Sequence, residues 1–163
     1  MPDLREWFAG VGLESTRTYL QSGNVVVRSD RDSEELARLT EELIAERADL
    51  SVPVVVRTRD ELADMLARDP FGAESLVEKL YQVTFLAHEP PQGLSDRVGA
   101  LATDGERFAA LGREWYAYHG AGVARSKLAS AIAARNLGVT ATARNWTTVR
   151  KLLTLSDELS DEP

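Results

Sequence analysis

The sequence predicts an α+β fold built from two ferredoxin-like, split-βαβ subdomains, the first lacking its usual N-terminal strand. Three observations carry this. Hydrophobic spacings of helix and strand type alternate along the chain. The second half reads βαββαβ plus a helix, the split-βαβ order. The first half reads αββαβ plus a helix, which is the second half with one strand removed from its beginning. The expected organisation is an N-terminal α+β subdomain over residues 1–75, a C-terminal ferredoxin-like subdomain over 76–156 and an acidic tail over 157–163.

The elements follow in order. Leu4, Trp7, Phe8 and Val11 share one helical face, with Pro2 near its start and Gly12 beyond its end. From Arg17 to Arg28 two β-prone runs meet at Ser22-Gly23-Asn24, a connection suited to a hairpin. Ser33 is placed to cap a helix with Leu36, Leu39, Leu43 and Ile44 on one side. Val52 to Arg57 reads as a short strand whose Pro53 confines it to an end or edge. Thr58 and Glu61 fit a capping box for a helix carrying Leu62, Met65 and Leu66. Asp69-Pro70-Phe71-Gly72 ends that helix, and a boundary is expected between there and Glu78.

Leu80 to Ala87 then alternates as a strand, Pro90-Pro91 breaks it, and Ser95 opens a helix with Val98 and Leu101. Strands over 106–111 and 114–119 are joined by Gly112-Arg113, a two-residue hairpin loop with Gly first. A helix from Lys127 to Leu137, Gly138 as its stop, a strand from Val139 to Ala143 and a final helix from Trp146 to Leu155 follow. The last residues read as a frayed acidic tail.

Composition narrows the chemistry. The chain has 163 residues, no Cys and two His, His88 and His119, at no metal-ligand spacing. Disulfides, thiolate sites and a His-based zinc site are therefore not expected, and no metal or cofactor is assigned. No apolar run reaches the length of a membrane helix, and the amino terminus lacks a secretory pattern, so a cytoplasmic protein without membrane contact is expected.

Charge is segregated. Residues 1–114 hold 13 Lys plus Arg against 22 Asp plus Glu, whereas Trp115 to Ser156 contains no acid and six cations. Such separation suggests a surface that recruits an anion. Within it Ser126 caps a helix beside Arg125 and Lys127, and Asn145 caps another between Arg144 and Trp146. Cations at a helix start are disfavoured by ~0.3–1 kcal/mol each unless something negative sits nearby. A bound anion would resolve the conflict.

Other residues are weighed in the same way. Gln21, Ser22, Gly23 and Asn24 form a turn whose Gly and Asn are explained by positive φ, while Gln21 and Ser22 are free to complete an anion pocket. Ser126 beside Lys127 suggests a nucleophile, yet neighbours at a helix start diverge and the segment holds no acid to supply a base. No catalytic constellation is identified. Trp115, Tyr116 and Tyr118, with Tyr81 and Phe85, could offer a base-stacking platform for RNA, but GREWYAYHG does not fit the pattern of an RNA-recognition strand, and packing is favoured.

TYLQSGNVVV (Thr18 to Val27), RSKL (Arg125 to Leu128) and ATARNWTTVRKL (Ala141 to Leu152) together resemble the domain of unknown function (DUF) 1697 family of uncharacterised bacterial proteins. The resemblance implies two α+β subdomains and no assigned activity. It also implies a strand and a glycine-rich loop ahead of the helix that here starts at Pro2. A first strand of that kind is central in its sheet, so the strands near Val25 to Val27 and Val54 to Val56 are expected to have unpaired ladders. A mis-set start, or compensation by a neighbouring chain or rearranged edges, is the expected consequence.

The functional expectation is a small anionic ligand, phosphate- or nucleotide-like, held at the subdomain interface by Arg125, Ser126, Lys127, Arg144, Asn145 and Trp146, with Gln21 to Asn24 completing the pocket. The alternative is an RNA or protein-interaction module, with self-association through exposed strand edges.

Overall fold

Helix and strand alternate to give a mixed α and β structure with, among the described residues, six α-helices and two antiparallel sheets. The computed structural model describes residues 2–13, 15–19, 23–134 and 136–161. It divides into two units, Met1–Ala63 with Arg150–Pro163, and Asp64–Val149. The divisions therefore differ from the expected 1–75 and 76–156: the second unit begins inside one helix and ends inside another.

In the first unit α1 (Pro2–Ala9) buries Phe8, and Leu4, Trp7 and Val11 pack around it, as their spacing predicts. β1 (Thr16–Tyr19) and β2 (Asn24–Val27) pair antiparallel, Thr16 opposite Val27 and Tyr19 opposite Asn24. α2 (Ser33–Ala48) places Leu36 and Leu43 on the same core. Its cap is Asp32 and not Ser33: the Asp32 carboxylate accepts from Glu35 N at 2.8 Å, where a negative charge also suits the helix start. α3 (Arg59–Ala67) opens with the expected capping box, Thr58 N donating to Glu61 Oε2 at 2.8 Å and Glu61 N to Thr58 Oγ1 at 3.2 Å.

Two expectations fail here. The strand over 52–57 is extended chain without a ladder; Val54 N donates to the Glu41 carboxylate at 2.7 Å, and Val56 still packs on the core. A strand is completed by a neighbour's backbone, and among the described residues none lies alongside. The acidic tail is not frayed through its length, because the last helix continues to Ser160. Leu159 is buried, Glu158 binds Arg17 at 2.7 Å and Asp157 binds Arg59 at 2.8 Å.

The second unit runs β3 (Tyr81–Leu86), α4 (Leu94–Gly99), β4 (Glu106–Leu111), β5 (Glu114–His119), α5 (Lys127–Ile132) and β6 (Ala141–Asn145), and α6 (Trp146–Ser160) begins at its end. The strand order is β4-β5-β3-β6, antiparallel throughout. Leu111 faces Glu114 across the predicted two-residue loop, whose Gly112 has φ 62°. Residues opposite one another share a face. Trp115, Ala117 and Leu86 therefore meet Val98 of α4 and Leu128 and Ile132 of α5 in one core. Tyr81, Val83 and Tyr116, all fully buried, occupy the other face.

Three boundaries shift from expectation. α5 ends at Ile132 rather than at residue 137, and Leu137 reaches the core from outside the helix. β6 lies two residues later than predicted, so that Asn145 is both its last ladder position and the cap of the next helix. α4 begins at Leu94, after Gly93 at φ 72°, because Ser95 Oγ serves instead as acceptor for Trp115 Nε1 at 3.0 Å.

Candidate functional site

The start of α5 is built around a buried polar cluster. Ser126 Oγ accepts from Ala129 N at 2.8 Å, which makes it the predicted cap, and donates to Glu106 Oε1 at 2.5 Å. His119 Nδ1 lies 3.1 Å from the same carboxylate oxygen and 3.3 Å from Ser126 Oγ. Thr103 donates to Glu106 Oε2 through both its N–H and its hydroxyl. Burial alone would raise the Glu106 pKa, but the bonds from Ser126, Thr103 and His119 outweigh it and hold the carboxyl down at about 2. An ionised carboxylate only accepts, so His119 Nδ1 carries the proton, and His119 Nε2 is buried without a partner among the described residues.

This cluster is not a nucleophilic relay. A Ser-His-acid relay needs the hydroxyl and the carboxylate on different ring nitrogens. Here both approach Nδ1, and Ser126, only 6% exposed, also holds a backbone N–H. The cluster supplies something else: a resident carboxylate at the helix start, which meets the electrostatic conflict posed by Arg125 and Lys127 from inside the fold. Both cationic side chains are exposed.

The start of α6 repeats the arrangement. Asn145 Oδ1 accepts from Thr148 N at 2.8 Å, and Thr147 Oγ1 donates to Glu78 Oε2 at 2.8 Å, bringing a second carboxylate to a helix N-terminus. Arg144 donates to Thr142 Oγ1 at 2.6 Å and to the Ala143 carbonyl at 2.7 Å; burial lowers its pKa, although a guanidinium stays charged. Trp146 is buried and stacks on Tyr81 with centroids 4.6 Å apart and planes 4° from parallel. Tyr81 in turn donates to Asp69 Oδ1 at 2.8 Å, and burial first, then that carboxylate, raises its pKa.

Strand alternation separates the two groups. Arg144 stands opposite Val83, on the face of Tyr116, whereas Glu106 stands opposite His119, on the face of Ala117. Arg144 and Ser126 thus belong to opposite faces of one sheet, and the two helix starts do not form a single cluster within this unit. Asn145 lies on the Ser126 side of that division.

Of the turn residues, Gln21 and Ser22 lie outside the described residues. Gly23 is exposed at φ 78°, as the turn requires, but Asn24 does not take the expected positive φ: it is the first ladder residue of β2, buried with Nδ2 donating to the Tyr19 carbonyl at 3.1 Å. The aromatic strand is packed: Trp115 and Tyr116 are fully buried, Tyr116 donates to the Met65 carbonyl at 3.0 Å, and burial raises its pKa to about 12. Among the described residues no group of His, Cys, Asp and Glu could hold a metal ion, and no helix is long and apolar enough to cross a membrane.

Sequence reasoning missed Glu106 and His119. The signal was present in part, since a two-residue loop at 112–113 fixes Glu106 opposite His119. Nothing local announces that Ser126 joins them.

Comparison with known proteins decides the family. A model described as "Protein of unknown function (DUF1697)" matches residues 1–116, most of the chain. The chain belongs to the DUF1697 family. Among solved structures, this DUF1697 chain is similar to a conserved bacterial protein, SP0830 from Streptococcus pneumoniae, at TM-score 0.69 and 19% identity. The match covers 96% of this chain and 88% of that one. At that identity the likeness concerns the fold. Among curated proteins none matches.

Proposed function

We propose that the chain acts by binding a protein partner, through an open strand edge in the Met1–Ala63 unit. The observation that carries this is the pairing of β2. Arg28 N donates to the Ser15 carbonyl, so the hydrogen-bonded pairs of the hairpin fall at Val26 and Asn24. The N–H and C=O groups of Val25 and Val27 then point away from β1. Native edges are usually blunted by charge, proline or a bulge. Residues 25–27 are three valines.

The two-subdomain, ferredoxin-like reading belongs to this proposal. It is supported in the second unit by the βαββαβ order with β3 placed between β5 and β6. In the first unit it is supported by the order α1, β1, β2, α2, followed by residues 52–57, which are extended but form no ladder. A cytoplasmic setting, in a chain without cysteine, is part of the same reading.

A second reading keeps a small phosphate-like anion as ligand. Exposed Arg125 and Lys127 beside Ser126 favour it, with Arg144, Asn145 and Trp146 as the further candidates and Gln21 to Asn24 as the expected complement. Glu106 and Glu78 count against it, because each already brings negative charge to a helix start. The RNA reading loses its platform to the burial of Tyr116.

A thermal-shift screen with inorganic phosphate and nucleotides, on the wild type and on a Lys127→Ala, Arg144→Ala double variant, separates the readings. A specific ligand at one hundred times its Kd stabilises by about 2.7 kcal/mol. The protein-partner reading expects no shift that depends on those two residues. A stabilisation present in the wild type and absent from the double variant would overturn it in favour of the anion.

A further inference from the structure

The sheet of the Asp64–Val149 unit has two outer strands, β4 and β6, and they are finished differently. Ala87 N donates to the Thr140 carbonyl, so the N–H and C=O groups of Ala141 and Ala143 point away from β3. There the Ala143 carbonyl accepts from Arg144 Nη1 at 2.7 Å, and the edge is blunted by a cation of its own. On β4, Gly120 N donates to the Gly105 carbonyl, so the hydrogen-bonded pairs with β5 fall at Arg107, Ala109 and Leu111. The backbone groups of Glu106, Phe108 and Ala110 therefore point outward. Glu106 N–H is taken by the Thr103 carbonyl at 2.9 Å. Among the described residues no strand lies beside Phe108 and Ala110 to take theirs. Ala110 is exposed, and so is Leu101, at 38%, just beyond α4, the helix whose Gly99 lies against the Phe108 ring.

We propose that β4 is a self-association surface, on which a second copy of this chain adds its own β4 antiparallel about a two-fold axis at Ala109. Two four-stranded sheets then join into one of eight strands. The outward groups set the register. Phe108 opposite Ala110 of the second copy, and the reverse, joins the N–H and C=O groups of both residues in four hydrogen bonds. A register centred on Phe108 would oppose Ala110 to Glu106, whose N–H is already bonded. One centred on Ala110 would oppose Phe108 to Gly112, in the loop.

Side chains fit the same register. Ala109 meets its own copy in the close, non-hydrogen-bonded kind of pair, with Cα atoms about 4.5 Å apart, where a methyl group causes no crowding. Arg107 stands opposite Leu111 of the second copy and roughly 13 Å from the other Arg107, so like charges are not opposed. One position further lies Gly112 of the second copy, and the exposed Glu89 carboxylate sits beside Gly112. The axis thus brings a cation and a carboxylate together twice. The edge carries both halves of its own complement, as a two-fold contact requires and a foreign strand need not. The surface belongs to a different unit from the β2 edge, and the inference does not rest on that one.

The chain has no cysteine, so one introduced thiol reports the register. Under mild oxidation Ala109→Cys is expected to form a disulfide-linked dimer at least about tenfold faster than Arg107→Cys, because about 4.5 Å between Cα atoms suits a disulfide and roughly 13 Å does not. Sedimentation equilibrium of the wild type is expected to show a concentration-dependent monomer–dimer equilibrium. Ala110→Pro deletes an outward N–H that the monomer does not use, and by symmetry two bonds of the dimer. It is expected to weaken dimerisation at least about tenfold while far-UV circular dichroism stays unchanged. Ala109→Lys opposes two like charges on the axis and is expected to weaken it as much, which decides the matter even where the proline variant does not fold. Equal cross-linking by the two thiol variants would overturn the inference. So would a wild type that stays monomeric up to about 1 mM, or a dimer that Ala109→Lys leaves undiminished.

Discussion

Ser126 Oγ lies 2.5 Å from Glu106 Oε1, so the cap of α5 is bonded to the first residue of β4. The contact joins an acid-free stretch of sequence to the acid-rich chain before it. With Thr147 on Glu78 it explains how cations are tolerated at two helix starts without a ligand: each start has a carboxylate of its own.

Removing the Ser126 hydroxyl is expected to destabilise the fold far more than removing the adjacent charge. Ser126→Ala loses a cap, typically ~0.5–2 kcal/mol, and leaves the Glu106 carboxylate short of a donor, so a loss of about 3 kcal/mol is expected in urea unfolding. Lys127→Ala, at an exposed position, is expected to stay within about 0.5 kcal/mol of the wild type. Similar losses for both would show that the cap carries no special weight.

Acid sensitivity follows from Glu106. Its folded pKa, about 2, is depressed below the ordinary 4.5, so its contribution is present above pH 4.5 and disappears as pH falls towards 2. The depression corresponds to about 3 kcal/mol. Glu106→Gln is expected to be less stable at pH 7 and to show a shallower decline between those pH values. Parallel wild-type and variant curves in urea titrations would contradict the assignment.

Trp146 closes the face of the sheet that carries Tyr81. Trp146→Ala is expected to cost about 3–5 kcal/mol by thermal or urea unfolding, through the loss of a buried ring and its stack. Tyr81→Phe keeps the ring and loses only the bond to Asp69, for which about 1–2 kcal/mol is expected. A costlier Tyr81→Phe would make the hydroxyl, and not the stack, the main connection.

Deletion of residues 157–163 tests the helical tail. Burying Leu159 contributes about 2 kcal/mol, and the pairs Asp157–Arg59 and Glu158–Arg17 add ~0.2–1 kcal/mol each in their half-exposed settings. A loss of about 3 kcal/mol in unfolding free energy is expected; an unchanged value would return these residues to solvent.

The sequence carried local structure well and partnership poorly. The Thr58–Glu61 box, the loop at Gly112-Arg113 and the Ser126 and Asn145 caps each depend on residues a few positions apart, and all are present. Residues 52–57 have the composition of a strand, but composition cannot provide the neighbour that makes one. The tail has the composition of a solvated segment, yet its acids meet Arg59 and Arg17, 98 and 141 residues away. At the candidate site the cations were visible, and the carboxylates that answer them were not, since Glu78 and Glu106 reach the helix starts only through the fold. The separation of Arg144 from Ser126 likewise needed the pairing of β6 with β3, because the expected strand stops at Ala143 and leaves Arg144 outside the ladder.

The most direct measurement is amide hydrogen exchange, residue by residue, across β2 in the isolated chain. Val26 N–H, turned towards β1, is expected to be protected, while Val25 and Val27, turned away from it, exchange at least about tenfold faster. That alternation would establish an edge open to a partner strand. Uniform protection along Asn24–Val27, at the level of Val83 in β3, would mean that the edge is already closed and would contradict the account of how this chain binds.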